Sequence, residues 1–600
     1  MAPAGPRAGR QGGPPGLDFR YRNRGGHQTV NPIQVPTAPL FDVRKISRIG
    51  WPAGVATALI GIFVLAAFVS ARGKSVTSDE PPHLAAGLSY WITHEVFRAN
   101  PEHPPLIKEL TGLSLLIGGI RWPDTPNANY LVNGDDPAKV FRLEWPVGLE
   151  ILRKYGPDRV LLWARVPPIL VGGLLGAVLF LWGRRLFGPI AAVAAVFVFL
   201  LDPLLLAHTQ FVTTDVGSAA FGTLALFCLW NYLGKPNWAR LSWTAAAFGC
   251  ALVAKFSEML LLPIAVALLV AAWMWPIAEP APALQPKKSA KQQPKSRRLP
   301  LWVAFLIVCG GAFLVVQIAY FLPDDVTMYL RCASMVYSDD IANAPHYMAG
   351  AIAARFPGYF VVSYFLKEPL AAIILAGIGL VVLLRDRAMP VLNKWFLLLR
   401  PAVFLAAISY GAANHGARYL IPILPFTCLL AGLGIATLIE RGRQSRACLG
   451  AAGVLCLWLV VEAVAVYPDQ LSYFNEGACL LTQPTKVGLD GGSRCGVAWL
   501  DDSNVDWGQG FKQLKQWLDR NAPGRPVKLA YGMGFDARDY GIPGERISME
   551  DLMRPPAPGL YAVSAHFVAH APAADSRAAW LRSTPPVAVV GHALWIYEIR

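Results

Sequence analysis

Charge is scarce in this sequence. Only 16% of its 600 residues are Asp, Glu, Lys or Arg, while 54% are hydrophobic and mean hydropathy is +0.39, which excludes an ordinary soluble domain and indicates a polytopic helical membrane protein. None of the nine cysteines forms a CxxC pair, so a zinc ribbon and a thioredoxin-type redox centre are excluded. There is no P-loop or dinucleotide fingerprint and no fixed-period repeat, which leaves nucleotide-driven chemistry unsupported. The first 48 residues also lack the apolar h-region of a cleavable signal peptide. They are rich in Gly, Pro and Arg and carry Arg44, Lys45 and Arg48 just before the first apolar run. Residues 1–48 therefore read as a disordered basic cytosolic tail that holds the first helix with its N-terminus inside.

The net charge of +15 is spread in short groups between apolar runs, which is the pattern of an orientation signal and not of a nucleic-acid surface. A bilayer needs about 17 to 25 apolar residues per helix. By that rule spans are expected at Gly50–Ala71, Leu161–Trp182, Gly188–Leu206, Val216–Leu233, Leu241–Ala254, Met259–Trp275, Pro300–Leu322, Pro369–Leu384, Pro401–Ala413, Tyr419–Ile439 and Ala447–Val466. The eleven runs include three short ones, starting at Leu241, Pro369 and Pro401, which are expected to extend into flanking mixed sequence. Alternation then puts Arg184 and Arg185, Lys235 and Arg240, the run Pro286–Arg298, Arg385 with Arg387, and Arg441, Arg443 and Arg446 on the N-terminal side. The long mixed segments fall outside. They are the first loop 72–160, the turns at 213–215 and 255–258, the loop 323–368, the "NHGAR" turn and everything after Tyr467.

The transmembrane domain is thus expected over 49–470 and a small extracytoplasmic α/β domain over 471–600. Within the latter, "CGVAWLDDSN", "VKLAYGMG", "GLYAVSAHFVAH" and "HALWIYEIR" read as strands and "QGFKQLKQWLDR" as an amphipathic helix. Cys479 and Cys495 fall together there, so one disulfide is available if the domain faces an oxidising compartment.

The chemistry-bearing residues gather after the first span. Asp79 and Glu80 follow its apolar end by about eight residues, in a Ser-Asp-Glu-Pro-Pro context that suits the start of an interfacial helix. Glu102, His103 and Lys108 surround a Pro-Pro turn in the same loop. Several carboxylates with matching cations at a membrane rim suggest a site for a charged headgroup. The segment "LDDSNVDWGQ" offers oxygen ligands at Asp501, Asp502, Asn504 and Asp506 but lacks the glycine and terminal Glu of an EF-hand loop. Ser503, Asn504 or Asp506 is expected instead to cap the helix that follows.

The "DE" of Asp79 and Glu80, "HPPLIK" from His103, "ARVPPILVGGLLG" around Arg165, "QFVTTD" ending at Asp215 and "HGARYLIPILPF" around Arg418 together resemble the protein O-mannosyltransferases and the related lipid A aminoarabinose transferases. These are GT-C membrane glycosyltransferases, and the likeness runs loosely over residues 45–470. The C-terminal "YFNE" and "DDSNVDWGQ" look like a tail found on bacterial members. The resemblance implies a GT-C-like fold of about eleven spans in a bacterial inner membrane. It implies transfer of a sugar, a hexose such as mannose, from a polyprenyl-phosphate donor to an extracytoplasmic protein, lipid or glycan acceptor with inversion. Asp79 would be the general base and Glu80 its neighbour that positions acceptor or tunes it. Arg165 and Arg418, with Lys255 and Lys108 behind them, would meet the donor phosphate. Glu102, His103, His83 and Asp215 would line the acceptor side or support the base, and Asp215 equally suits capping of the fourth span. No cofactor is implied. His103 could also serve as a metal ligand with His83 and Glu102 nearby, although no fixed His spacing supports a divalent metal there. The competing class is a transporter or lipid-handling protein without covalent chemistry, for which Asp202 and Glu462 are the midplane candidates.

Overall fold

The structure, a computed structural model, describes residues 50–275, 299–338, 345–532 and 535–600. The N-terminal tail and the basic run Pro286–Arg298 lie outside the described residues. Among the described residues eight helices are long and apolar enough to cross a bilayer: Trp51–Arg72, Pro157–Phe187 (two segments joined at Arg165), Asp215–Gly234, Phe256–Met274, Leu301–Ala319, Val391–Gly411, Leu424–Gly442 and Arg446–Val466. Two bent pairs, Pro189–Leu201 with Pro203–Thr209 (65°) and Tyr359–Lys367 with Leu370–Arg385 (107°), bring the count to ten if each is one span. Ten of the eleven expected runs coincide with these. The short run at Pro401 extends upstream, so that Pro401 lies inside Val391–Gly411. The run at Pro369 gains its length through the bend.

The remaining run is helix Trp238–Leu252, only 15 residues, or about 22 Å of helix against about 30 Å of hydrocarbon. It nevertheless returns the chain across the helical body. At one end Arg240 Nη1 donates to the Asn231 carbonyl (2.9 Å) and Arg185 bonds the Asn231 side chain. At the other end Lys255 Nζ lies 2.5 Å from Asp215 Oδ1, the first residue of the preceding span. With each bent pair counted as one span, the described residues make eleven traverses between two faces. The basic helix ends Arg185 and Arg240 meet on one face, and Asp79, Asp215, Lys255 and Arg418 gather on the other, called the rim below.

Helices pack closely where small residues allow backbones to meet, the usual device in a bilayer. A Cβ on Gly379 would stand 1.8 Å from the Leu430 carbonyl oxygen, and one on Gly434 2.2 Å from that of Leu375. The same device sets the rim helices Glu80–Thr93 and Leu106–Ile117, where a Cβ on Gly112 would stand 2.0 Å from the Gly87 carbonyl oxygen.

Beyond Tyr467 the chain forms the C-terminal α/β region. A hairpin of β1 (His346–Met348) and β2 (Ala351–Ala353) belongs to the earlier loop. The C-terminal sheet holds β3 (Val527–Ala530), β4 (Gly544–Ile547), β5 (Gly559–Ser564), β6 (Ala588–Val590) and β7 (Leu594–Ile599) in the order β4-β3-β5-β7-β6. β3 runs parallel to β4 and β5, and β7 antiparallel to β5 and β6. Helix Phe511–Asn521 lays Phe511, Leu514 and Leu518, one face at helical spacing, against Val527, Leu529, Leu560 and Ile596.

Three local expectations change. "CGVAWLDDSN" is no strand but a 3₁₀ turn over Ser493–Ala498 followed by irregular chain. Cys495 is tied to Cys479 by a disulfide, and Gly496 packs against Phe474, where a Cβ would stand 2.2 Å from the ring. "GLYAVSAHFVAH" is a strand only to Ser564, because its Ala-rich second half continues as helix Ala565–Ala574. The cap of helix Phe511–Asn521 is Gly510, without a side-chain bond, since Ser503, Asn504 and Asp506 are engaged elsewhere.

The C-terminal region roofs the rim directly. Ser75 and Ser78 donate their amides to the carbonyls of Gln509 (3.0 Å) and Trp507 (2.9 Å), Val76 donates to Tyr540 Oη (2.9 Å), and Lys74 pairs with Asp469. Both segments therefore lie on one face, as the even number of traverses between them requires.

Candidate active site

Pro81 and Pro82 occupy the first turn of helix Glu80–Thr93, where their fixed φ and missing N–H cost nothing, and this places Asp79 at the N-cap position. Its carboxylate makes no cap bond. Instead Arg418 Nη1 donates to Asp79 Oδ2 at 2.7 Å, in a contact whose side chains stay 17% and 26% exposed. The Arg418 guanidinium lies 4.8 Å from the Trp507 ring and 5.8 Å from Tyr419, and on the same Tyr419 ring Lys255 Nζ stands at 4.8 Å. Two cations thus lie beside one aromatic ring, a contact that the ring quadrupole favours. Burial opposes the charge on Arg418, but Asp79, then Tyr419 and Asp215, outweigh it and hold the guanidinium protonated.

The turn carrying Arg418 is set by backbone geometry. Gly416 has φ +111°, and a Cβ there would stand 2.2 Å from Ser503 Oγ. Ser503 Oγ donates to the His415 carbonyl (2.8 Å), the Ala417 amide donates to Asn504 Oδ1 (2.8 Å), and Asn504 Nδ2 donates to Tyr359 Oη (2.9 Å). The "DDSN" stretch is therefore a brace for the "HGAR" turn, and that is why it does not cap the next helix. Asp506 instead accepts from the Gly508 amide (2.9 Å).

Glu80 and Arg165 meet each other and not the mouth. Glu80 is fully buried and Arg165 is 2% exposed. Arg165 Nε and Nη2 donate to Glu80 Oε1 (2.8 Å) and Oε2 (2.7 Å), while Nη1 and Nη2 reach the carbonyls of Ala71 (2.7 Å), Lys74 (3.2 Å) and Ser75 (2.7 Å). All five guanidinium N–H groups are committed, so no donor remains for a phosphate. Glu80 also accepts from the amides of Thr77 (2.9 Å) and Val212 (3.3 Å). The expected phosphate role of Arg165, and that of Glu80 at the acceptor, give way to a lock on the chain leaving the first span.

Lys108 is likewise closed. Its Nζ donates to Asn100 O (2.7 Å), Asn100 Oδ1 (3.2 Å) and His103 O (2.6 Å), using all three N–H groups, and burial pulls its pKa down to about 7. It fixes the Pro-Pro turn from inside and does not face the mouth. His83 Nδ1 bonds the Val212 carbonyl (2.6 Å), and its ring meets that of His103 edge-on at 5.3 Å. Burial first, then nearby Lys108, lowers His83 to about 4, and burial with His83 beside it holds His103 well below its usual range. Both imidazoles are neutral at pH 7. Glu102 Oε2 is buried without a hydrogen-bond partner among the described residues. Asp215 does not cap its span with a side-chain bond but holds Lys255. The structure therefore brings Asp79, Arg418, Lys255, Asp215, His83 and His103 toward one region, and sets Glu80, Arg165 and Lys108 behind it.

Several residues here carried no signal of their own in the sequence. Tyr419 and Trp507 flank the cations. His415 Nδ1 lies 3.6 Å from Asp502 Oδ2 and its ring 4.7 Å from His346. Asp501 Oδ2 lies 2.9 Å from His566 Nδ1 and 2.5 Å from His570 Nε2. Among the described residues this is the one cluster of three or more metal-ligating side chains, and it excludes His83 and Glu102. The sequence pointed here only through "LDDSNVDWGQ", whose Asp501 and Asp502 are oxygen ligands, and through that segment's likeness to a bacterial tail. The two midplane candidates are engaged: Asp202 Oδ1 accepts from the Leu205 amide (2.8 Å) at the break of a bent span, and Glu462 accepts from Tyr473 Oη (2.7 Å). A cleft of about 300 Å³ opens behind Arg165, lined by Arg72, Asp158, Arg159 and Lys512 among others, without Asp79 or Arg418.

The family model for dolichyl-phosphate-mannose-protein mannosyltransferase matches residues 159–284, a stretch holding Arg165, Asp215 and Lys255. The chain resembles that family in sequence there. No curated protein matches the sequence. Solved structures that align with it include ArnT from Cupriavidus metallidurans in the apo state, at 13% identity over 91% of this chain and 98% of that one, with a TM-score of 0.43. ArnT bound to undecaprenyl phosphate aligns at 14% identity over 90% and 98%, with a TM-score of 0.38. The archaeal oligosaccharyltransferase AglB from Archaeoglobus fulgidus, in complex with an inhibitory peptide and a dolichol-phosphate, aligns at 13% identity with a TM-score of 0.41. That match covers 81% of this chain and 63% of AglB.

Proposed function

We propose that this protein is a glycosyltransferase that moves a sugar from a polyprenyl-phosphate donor to an acceptor hydroxyl at the outer rim, with Asp79 as general base. The observation that carries the reading is the partly exposed Asp79–Arg418 contact, with Lys255 as a second cation across Tyr419. The reaction needs a base and a cation set at one interface. The acceptor oxygen attacks the anomeric carbon, its proton passes to Asp79, and the bond from that carbon to the phosphate oxygen breaks with its electron pair on the leaving polyprenyl phosphate. Attack opposite the leaving group inverts the anomeric configuration. Arg418, whose fork suits phosphate oxygens, and Lys255 offset the charge that develops. Neutral His83 and His103 add no competing charge beside Asp79.

The family description over residues 159–284 supports mannose, or another hexose, as the sugar. The acceptor is a protein Ser or Thr, an envelope lipid or a polysaccharide, reached under the roof of residues 471–600. The basic face opposite the rim supports an N-in orientation in a bacterial inner membrane, with the rim outside. The transporter reading loses ground because Asp202 and Glu462 each have a partner within the fold.

Purified protein is to be incubated with radiolabelled mannosyl-phosphoryl polyprenol and an envelope extract, beside Asp79→Asn and Arg418→Met. Wild type should transfer label, and each variant should lose about 10²–10⁴-fold. Equal transfer by wild type and Asp79→Asn would remove Asp79 as base. Solute or lipid movement across vesicles without transfer from any polyprenyl-phosphate sugar would replace the whole reading by transport.

A further inference from the structure

We propose that Asp501, His566 and His570 bind a divalent transition metal, zinc by preference, in the roof above the rim. His566 and His570 stand at i and i+4 on helix Ala565–Ala574, so their rings project from one face, and their centroids are 4.2 Å apart. Asp501 reaches them from the "LDDSN" loop. One carboxylate oxygen of Asp501 lies 2.9 Å from His566 Nδ1 and 2.5 Å from His570 Nε2, and all three ligand atoms fall within 4.8 Å of one another. Tetrahedral ligation with bonds of about 2.0–2.1 Å places donor atoms about 3.3 Å apart, so small side-chain rotations suffice to admit the ion.

In the folded chain both imidazoles reach the same Asp501 oxygen. A dication accepts all three lone pairs at once. Two imidazoles and one carboxylate suit zinc and its first-row neighbours, not calcium or magnesium.

The ligands are held by rigid elements. Asp501 is 3% exposed, and its carbonyl accepts from Asn504 Nδ2 at 2.8 Å. The helix follows directly on β5, with the Ala565 amide bonded to the Ala593 carbonyl (2.8 Å). The His570 side chain is 11% exposed and that of His566 38%. The site therefore opens on one side, which leaves a fourth position for water or an oxygen ligand.

It stands one residue from Asp502, which faces His415 and lies in the field of Arg418. It also joins the loop that braces the Arg418 turn to the C-terminal sheet.

The test uses full-length, tag-free protein in detergent, freed of metal by chelation and titrated with Zn²⁺ and, separately, Co²⁺. Wild type should bind one equivalent of zinc that the double variant His566→Ala/His570→Ala does not, with the visible Co²⁺ absorption of a four- or five-coordinate His site lost in that variant. Asp501→Asn should weaken binding by more than the about 10–100-fold typical of an outer-shell partner. A thermal unfolding curve for the double variant like that of the metal-free wild type shows that it folds. Equal zinc stoichiometry in wild type and double variant, or Co²⁺ spectra that coincide, overturns the proposal. Binding of Ca²⁺ in preference to Zn²⁺ overturns the choice of metal.

Discussion

Replacing Arg165 by Met separates a structural cation from a phosphate-binding one. In the wild type the guanidinium spends two N–H bonds on Glu80 and three on backbone carbonyls, and neither side chain of the pair is more than 2% exposed. Met fills much of the same volume but leaves the Glu80 carboxylate buried, with only the amides of Thr77 and Val212 against its charge. Breaking one side of a fully buried pair in this way costs about 3–5 kcal/mol. Removing the stranded charge as well, in Arg165→Met/Glu80→Leu, should recover most of that loss, because a well-packed apolar pair is often as stable as the ionic one. Arg418→Met should behave differently. Its pair with Asp79 is partly solvated, so the loss is expected within about 1 kcal/mol. The assay is equilibrium unfolding in mixed micelles of the four proteins, followed by tryptophan fluorescence, with binding of a polyprenyl phosphate measured on each folded protein. Wild-type stability for Arg165→Met together with lost phosphate binding would refute the reasoning and return Arg165 to the donor site. No recovery in the double variant would refute the uncompensated-charge account.

Acidification should destabilise the fold as the buried His83 takes up a proton. The His83 pKa falls from 6.5 to about 4 on folding, so between these values the unfolded chain binds more protons and stability rises with pH. The contribution, about 3 kcal/mol for this shift, is present above pH 6.5 and lost as pH falls toward 4. His83→Gln should flatten that limb of the pH–stability curve, and an unchanged limb would speak against it. Gly416→Ala places a side chain at φ +111°, which costs about 1–3 kcal/mol and should lower transfer further by displacing the turn that carries Arg418. Unaltered stability and transfer would show that the turn tolerates a Cβ. Cys479 and Cys495 are 16 residues apart, and a closed loop of that size contributes about 3 kcal/mol. Dithiothreitol, or Cys479→Ser/Cys495→Ser, should lower unfolding stability by that order, and equal stability would deny the bond a role.

The spans were legible because length and hydropathy act locally, so ten of the eleven apolar runs reappear as long or bent helices. Trp238–Leu252 is too short to be secure by that measure. It counts as a traverse only because Asn231 and Asp215, at opposite ends of its partner helix, meet Arg240 and Lys255. Asp79 and Arg418 were legible as chemistry through a resemblance of motifs, whereas their contact, 339 residues apart in sequence, is not encoded in any local pattern. The reading of "VSAHFVAH" as strand failed because alternation over a few residues does not distinguish a strand from an Ala-rich helix that happens to follow one. That error hid the i, i+4 histidines.

What sequence could not rank was which of the cations is free to bind anything. Arg165, Lys108, Arg418 and Lys255 all lie near the ends of expected helices, and composition treats them alike. Counting donors in the folded chain divides them. Arg165 has five N–H groups and five bonds, Lys108 has three and three. Arg418 has one carboxylate partner and two aromatic faces, and Lys255 one carboxylate and one face. An aromatic face holds a cation in place without consuming its N–H bonds, so these two keep donors to give. A phosphate that entered would meet a closed inner layer, which fixes the chain after the first span, and an open outer layer, whose cations are positioned and still unsaturated. On the proposed function, the donor phosphate would sit between Arg418 and Lys255, beside Tyr419, leaving Asp79 to the acceptor.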